Sequence, residues 1–134
     1  MSFEIYLSCY KSGEGSKFPM AVLEEALGRY AKRHDEEHWW ILKFPDGGRS
    51  DLFFQPGEQI DGGMVSRPCT SPELWSGLIK ILKRTSSVLY WPGGGCVVAD
   101  AAVIADMPPD MIKSLGRPVV TTDPKVILDL IARS

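Results

Sequence analysis

The residues with the most chemical potential stand in one short run, His34-Asp35-Glu36-Glu37-His38. The run matches the H-x-x-E-H pattern of inverted zinc peptidases. On a helix, residues four apart share a face, so His34 and His38 would offer two imidazoles to zinc and Glu37 a general base. Spacing marks no third ligand, and Trp39-Trp40-Ile41 follows at once with the character of a strand. A small enzyme with a zinc site at His34 and His38 is therefore the minor reading. A solvated, acidic connection is the main one.

Pro92-Gly93-Gly94-Gly95 would present backbone N–H groups to an anion, but a phosphate loop needs Lys and Ser or Thr next, then a helix. Cys96-Val97-Val98 follows instead, so a strand-to-strand turn is expected. Cys96 would act as a nucleophile only beside a histidine, and only His34 and His38 exist. There is no Gly-x-Ser-x-Gly elbow. No catalytic residue, metal or cofactor is expected, and the chain reads as a non-enzyme.

Charge narrows the partners. Fifteen Lys and Arg against 17 Asp and Glu give a formal net charge of −2, which provides no basic field for a phosphate backbone. Lys80, Lys83 and Arg84 form the only basic group, so nucleic acid is not an expected partner. Asp35, Glu36 and Glu37 form an acidic run, and Asp100, Asp106 and Asp110 gather further on. Acidic patches beside aromatic residues suit a basic protein partner, because they steer encounter and select among partners. The candidate partner-binding residues are accordingly Asp35, Glu36, Glu37, Asp106 and Asp110.

The aromatic residues Trp39, Trp40, Phe44, Phe53, Phe54, Trp75, Tyr90 and Trp91 fall on expected strands and one helix. Neighbours on a strand face opposite sides, so one of Trp39 and Trp40, and one of Phe53 and Phe54, belongs to the core. The other of each pair is either exposed or covered by a helix.

The elements that must position these groups follow from pattern and punctuation. Phe3 to Leu7 alternates as a first strand, and Lys11 to Lys17 reads as a loop. A helix is expected over Pro19–Arg33, with Val22, Leu23, Ala26, Leu27 and Tyr30 on one face and Arg29, Lys32 and Arg33 at its negative end. Strands over His38–Phe44 and Asp51–Gln55 flank the turn Pro45-Asp46-Gly47-Gly48. Gly57 to Gly63 reads as a loop before a short strand at Met64–Arg67. A helix over Ser71–Arg84 opens with capping-box spacing between Thr70 and Glu73. Strands at Ser87–Trp91 and Cys96–Ala99 come next. Asp100 caps a short helix, and Pro109 opens another that ends at Gly116. Pro118–Thr121 is β-like, and Asp123-Pro124 starts a last helix.

Hairpins and separate helices predict an α+β fold, with an antiparallel sheet of about four to six strands and helices packed on one face. The 134 residues suit a single globular domain. The expected core is Ile5, Leu7, Leu23, Leu27, Ile41, Leu52, Leu78, Leu82, Leu89, Val97, Ile127 and Ile131. No segment approaches the ~20 apolar residues of a membrane span. The start MSFEIYLSCY has no basic n-region and carries Glu4, which speaks against a signal peptide. Three widely separated cysteines suit buried thiols in a reducing compartment, so a cytoplasmic location is expected.

Four stretches carry a family resemblance: Met1-Ser2-Phe3-Glu4-Ile5-Tyr6-Leu7, Arg67-Pro68 before Leu74-Trp75, Ser87-Val88-Leu89-Tyr90-Trp91-Pro92-Gly93, and Pro108-Pro109-Asp110-Met111-Ile112. With them the chain resembles small bacterial proteins associated with toxin–immunity loci. The resemblance implies a protein that binds a cognate toxin domain, often a basic nuclease, and blocks it by occlusion. The rival reading is a structural or regulatory interaction protein.

Overall fold

The first strand sets the architecture, because its residues alternate in character over eight positions. Ile5, Leu7 and Cys9 are buried, while Glu4, Tyr6, Ser8 and Tyr10 are only partly so. A period of two puts the first set on one side of a sheet and the second on the other. The computed structural model describes residues 3–33 and 38–133. Its elements in chain order are β1 (Glu4–Lys11), β2 (Glu14–Gly15), β3 (Phe18–Pro19), α1 (Met20–Leu27), β4 (Ala31–Arg33), β5 (Trp39–Lys43), β6 (Arg49–Phe53), β7 (Gln59–Ile60) and β8 (Gly62–Ser66). They continue with α2 (Pro72–Arg84), β9 (Ser87–Tyr90), β10 (Cys96–Val98), α3 (Pro109–Leu115), β11 (Val119–Val120) and α4 (Pro124–Ala132). Short 3-10 turns lie at Gly28–Tyr30 and Ala101–Asp106.

The fold is α+β, and its sheet is larger and less uniform than expected. Eight strands run in the order β11-β10-β9-β1-β8-β6-β5-β4, with β2 folded back on β1. The pairs are antiparallel except β10 with β11, which are parallel. The α3 crossover between β10 and β11 is what permits that parallel pair, since parallel neighbours need a long connection. A separate two-stranded pair joins β3 to β7.

One face of the sheet carries α1, α2 and α4. The main core lies between them, where Ile5, Leu7, Leu52, Val65, Leu89 and Val97 meet Leu23, Leu27, Leu74, Leu78, Ile81, Leu82 and Ile127. Helices α1 and α2 approach closely at Gly77, where a Cβ would lie 2.4 Å from Leu27 Cδ2 and 3.0 Å from the Ala26 carbonyl oxygen. The other face carries the 101–106 turn and α3, over a smaller core of Val88, Cys96, Val98, Val103 and Met107. Helices on one face alone is therefore corrected to an unequal cover on two.

Several local expectations also change. The helix over Pro19–Arg33 ends at Leu27, and residues 31–33 form β4 against β5. Sheet hydrogen bonds thus override helix propensity there, and Lys32 and Arg33 do not serve a helix end. Helix α2 starts as expected, but Ser71 is its N-cap, without a side-chain cap bond, so the Thr70–Glu73 box does not form. The expected loop over Lys11–Lys17 contains β2, reached through positive φ at Ser12 and Gly13. The expected loop over Gly57–Gly63 likewise contains β7 and the start of β8. Ile131 is half-buried and packs against the main core, and Ile41 is half-buried on the other side of β5, with Trp40 and Leu42 buried in its place.

Candidate functional site

Strand register lines up one residue from each of six neighbouring strands on the face opposite α1, α2 and α4. Trp39 pairs with Phe53, Phe53 with Met64, Met64 with Tyr6, Tyr6 with Tyr90, and Tyr90 with Cys96. Rings in this row stack in pairs. Tyr6 and Tyr90 have centroids 5.4 Å apart at 21°, and Trp39 and Phe53 5.5 Å apart at 22°. Such cross-strand pairs stabilise a sheet modestly, by roughly 0.2–1 kcal/mol each.

The two ends of the row have different fates. At the β10 end, Cys96 is buried under the 101–106 turn and α3. At the other end Trp39, Phe53, Met64 and Tyr6 are half-buried. Here the sheet opens into a groove of about 620 Å³, lined by Tyr6, Ser8, Tyr10, Phe53, Asp61 and Met64, with His38, Gln55 and Pro56 at the end of β5 and β6. The groove bottom depends on Gly62, at φ +139°, where a Cβ would come 1.8 Å from the Leu7 carbonyl oxygen. Only glycine fits so close to β1. Next to it the Asp61 carbonyl accepts a hydrogen bond from the Cys9 amide at 2.9 Å, which holds Asp61 at the groove.

The groove is short of positive charge. Among the described residues neither lysine nor arginine lines it, and Asp61 is its one carboxylate. Tyr10 lies partly buried in the lining. Burial raises its phenol above the ordinary tyrosine range, a Ser8 hydrogen bond opposes this, and Tyr90 and the Asp61 charge add to the rise. The hydroxyls of Ser8 and Tyr90 lie 3.3 Å apart. The described lining therefore offers aromatic faces, hydroxyls, the His38 imidazole, the Gln55 amide and one carboxylate.

Of the residues expected to bind a partner, Asp106 and Asp110 lie among the described ones. Asp35, Glu36 and Glu37 lie outside the described residues, as does His34. Asp110 is exposed in the first turn of α3. Asp106 is engaged within the fold. Its Oδ1 accepts from the Ser12 amide at 3.1 Å and its Oδ2 from the Ser86 hydroxyl at 2.9 Å. The Ser12 amide first, then Ser86, with Lys11 nearby, hold this carboxyl below the usual range. Asp100 caps the 101–106 turn through the Ala102 amide at 2.9 Å.

Of the catalytic candidates, His38 and Cys96 lie among the described residues and stand apart. His38 stands directly before β5, and its carbonyl accepts from the Phe54 amide at 3.0 Å. Cys96 is five strand spacings from β5, on the order of 24 Å, so a Cys96–His38 pair does not form. Burial pushes the Cys96 thiol up, away from the reactive thiolate. Pro92–Gly95 forms the expected turn, with Gly93 at φ +76°. Among the described residues no three His, Cys, Asp or Glu side chains gather to hold a metal.

Sequence reasoning passed over Tyr6, Ser8, Tyr10, Asp61 and Met64. The signal for three of them was present, since Tyr6, Ser8 and Tyr10 are the even positions of β1 opposite Ile5, Leu7 and Cys9. Among the described residues no helix is long and apolar enough to cross a membrane. No protein-family model matches the chain, and no curated protein or solved structure is significantly similar to it.

Proposed function

We propose that this chain is a protein-binding module of the immunity type, which covers the working site of a cognate toxin domain with the open end of its sheet. The observation that carries this reading is the in-register row Trp39-Phe53-Met64-Tyr6, left half-exposed beside a groove. Aromatic residues and methionine are enriched where proteins meet, and a few such anchors carry most of the binding energy. A row fixed by strand pairing also loses little conformational freedom on docking, which favours affinity.

The contact set is revised accordingly. Tyr6, Phe53, Met64 and Trp39 form its centre and Asp61 its charged element. Asp110 is available as an exposed carboxylate, and Asp106 serves the fold. Asp35, Glu36 and Glu37 directly precede His38 in the chain and stay in the proposal as a source of acidic contacts.

The test is capture from the source organism's lysate with two baits, the native chain and the double variant Tyr6→Lys/Phe53→Lys. The expected result is one protein retained stoichiometrically by the native bait alone. Its expression should arrest growth, and co-expression of this chain should restore it. Retention by both baits would move the interface elsewhere. Recovery of the chain alone, as a monomer with a bound small molecule, would overturn the reading.

A further inference from the structure

Resting on the protein-binding reading, we infer that the groove between β1, β6 and β8 receives an arginine side chain from the partner. Three observations converge on a cation. The walls supply the ring systems of Tyr6, Tyr10 and Phe53, whose faces are electronegative and attract a cation within about 6 Å of the centroid. Among the described residues Asp61 is the sole carboxylate in the lining, and neither lysine nor arginine competes for it. The remaining polar side chains include the Ser8 and Tyr10 hydroxyls, with Tyr90 behind, which can accept from a cation's N–H groups, besides the His38 imidazole and Gln55 amide at the β5–β6 end. An anionic ligand would meet Asp61 and, among the described residues, no lysine or arginine in the groove walls.

The shape selects among cations. A guanidinium is planar, stacks on aromatic faces and pairs a carboxylate through two parallel N–H donors. A lysine ammonium is a strongly hydrated point charge that gains less from such walls. The volume of about 620 Å³ exceeds one side chain, so backbone flanking the arginine enters as well. That makes a peptide segment, and not a free amino acid, the fitting occupant. The arginine would sit over the Tyr6 and Phe53 rings with its head toward Asp61.

The experiment uses the whole chain, isotope-labelled, at pH 8 and low salt. It is titrated with a doubly capped Gly-Arg-Gly peptide and with the same peptide carrying citrulline, the neutral isostere. Amide shifts should concentrate at residues 6–10 and 61–64, and the arginine peptide should bind roughly tenfold tighter than the citrulline one. Asp61→Asn, an exposed and nearly isosteric change, should keep the native spectrum and remove most of that difference. Equal binding of the two peptides, shifts centred elsewhere, or full discrimination in Asp61→Asn would each overturn the inference. If the peptides fail while a partner is still captured through Tyr6 and Phe53, the docking face stands and its cationic occupant falls.

Discussion

The two faces of the central sheet are built from the same strands and differ in what lies over them. On the helix-covered face Ile5, Leu7, Leu52, Val65, Leu89 and Val97 are buried beneath three helices. On the other face, among the described residues, a 3-10 turn and one short helix cover the β9–β10 end. Toward β5 that face keeps Tyr6, Phe53, Met64 and Trp39 half-exposed beside a groove. The closed face thus buries aliphatic side chains together with Trp40, Phe54 and Trp91, while the open end leaves Tyr6, Phe53, Met64 and Trp39 only half covered. The difference separates what folds the chain from what the chain offers to a partner. Its sharpest consequence is that stability and binding should respond to different residues of the same strands.

The largest effect is expected on the closed face. Leu89 is fully buried at the centre of the sheet. Leu89→Ala should lower unfolding free energy by about 2–5 kcal/mol in urea denaturation, through lost burial plus a residual cavity. Gly77→Ala comes next. Its new methyl would press on Leu27 and the Ala26 carbonyl, so α1 and α2 must separate. A loss of about 1–3 kcal/mol is expected by the same measurement. A Gly77→Ala protein as stable as the native one would show that the helix layer is loosely seated.

The open face should behave otherwise. Tyr6→Ala and Phe53→Ala each remove one ring of a stacked pair from a half-buried site. Each should cost only about 1 kcal/mol of stability while reducing partner capture by at least roughly tenfold. A loss comparable with that of Leu89→Ala would break the comparison, because the row would then be core and not a docking surface.

How far this division can be read from sequence depends on the kind of signal. Turns and caps announce themselves locally. Pro92–Gly95 turns, Asp100 caps the 101–106 turn, and Asp123 caps α4 through the Lys125 amide, all as their residue types imply. Strand phase is legible where polar and apolar residues alternate, as in β1. It is lost in Trp39-Trp40-Ile41-Leu42, where every residue is apolar and either phase would bury a good core. The structure buries Trp40 and Leu42, which leaves Ile41 and Trp39 on the open side. Residues 28–33 continue a helical pattern, and only pairing with β5 makes the last three a strand. The groove was the least legible part. Its walls come from β1, β6, β8 and the residue before β8, and nothing local states which strands will be neighbours.

The smallest expected effect comes from two carboxylates that fasten the covering layers, one on each side of the sheet. Asp46, in the β5–β6 turn, accepts from the Ser71 hydroxyl at 2.5 Å and from the Gly48 amide at 2.9 Å, tying that turn to the start of α2. Ser71 first, then Gly48, hold its carboxyl below the usual range. Asp106 ties the 101–106 turn to the β1–β2 turn and to Ser86 before β9. Both carboxyls are thus more acidic in the folded chain than the ordinary value of about 3.9. A depressed folded pKa contributes stability that is present above the unfolded pKa and lost as pH falls through the folded one. Melting temperature should therefore decline from about pH 5 downward, and Asp46→Asn and Asp106→Asn should each flatten that decline after starting lower at pH 7. The two variants then sharpen the contrast between the faces. Asp46→Asn should loosen only the helix layer and spare partner capture, since its turn is remote from the groove lining. Asp106→Asn should raise hydrogen exchange in residues 101–115 ahead of the rest. Equal pH slopes in native and variant proteins would show that these carboxylates do not hold the layers.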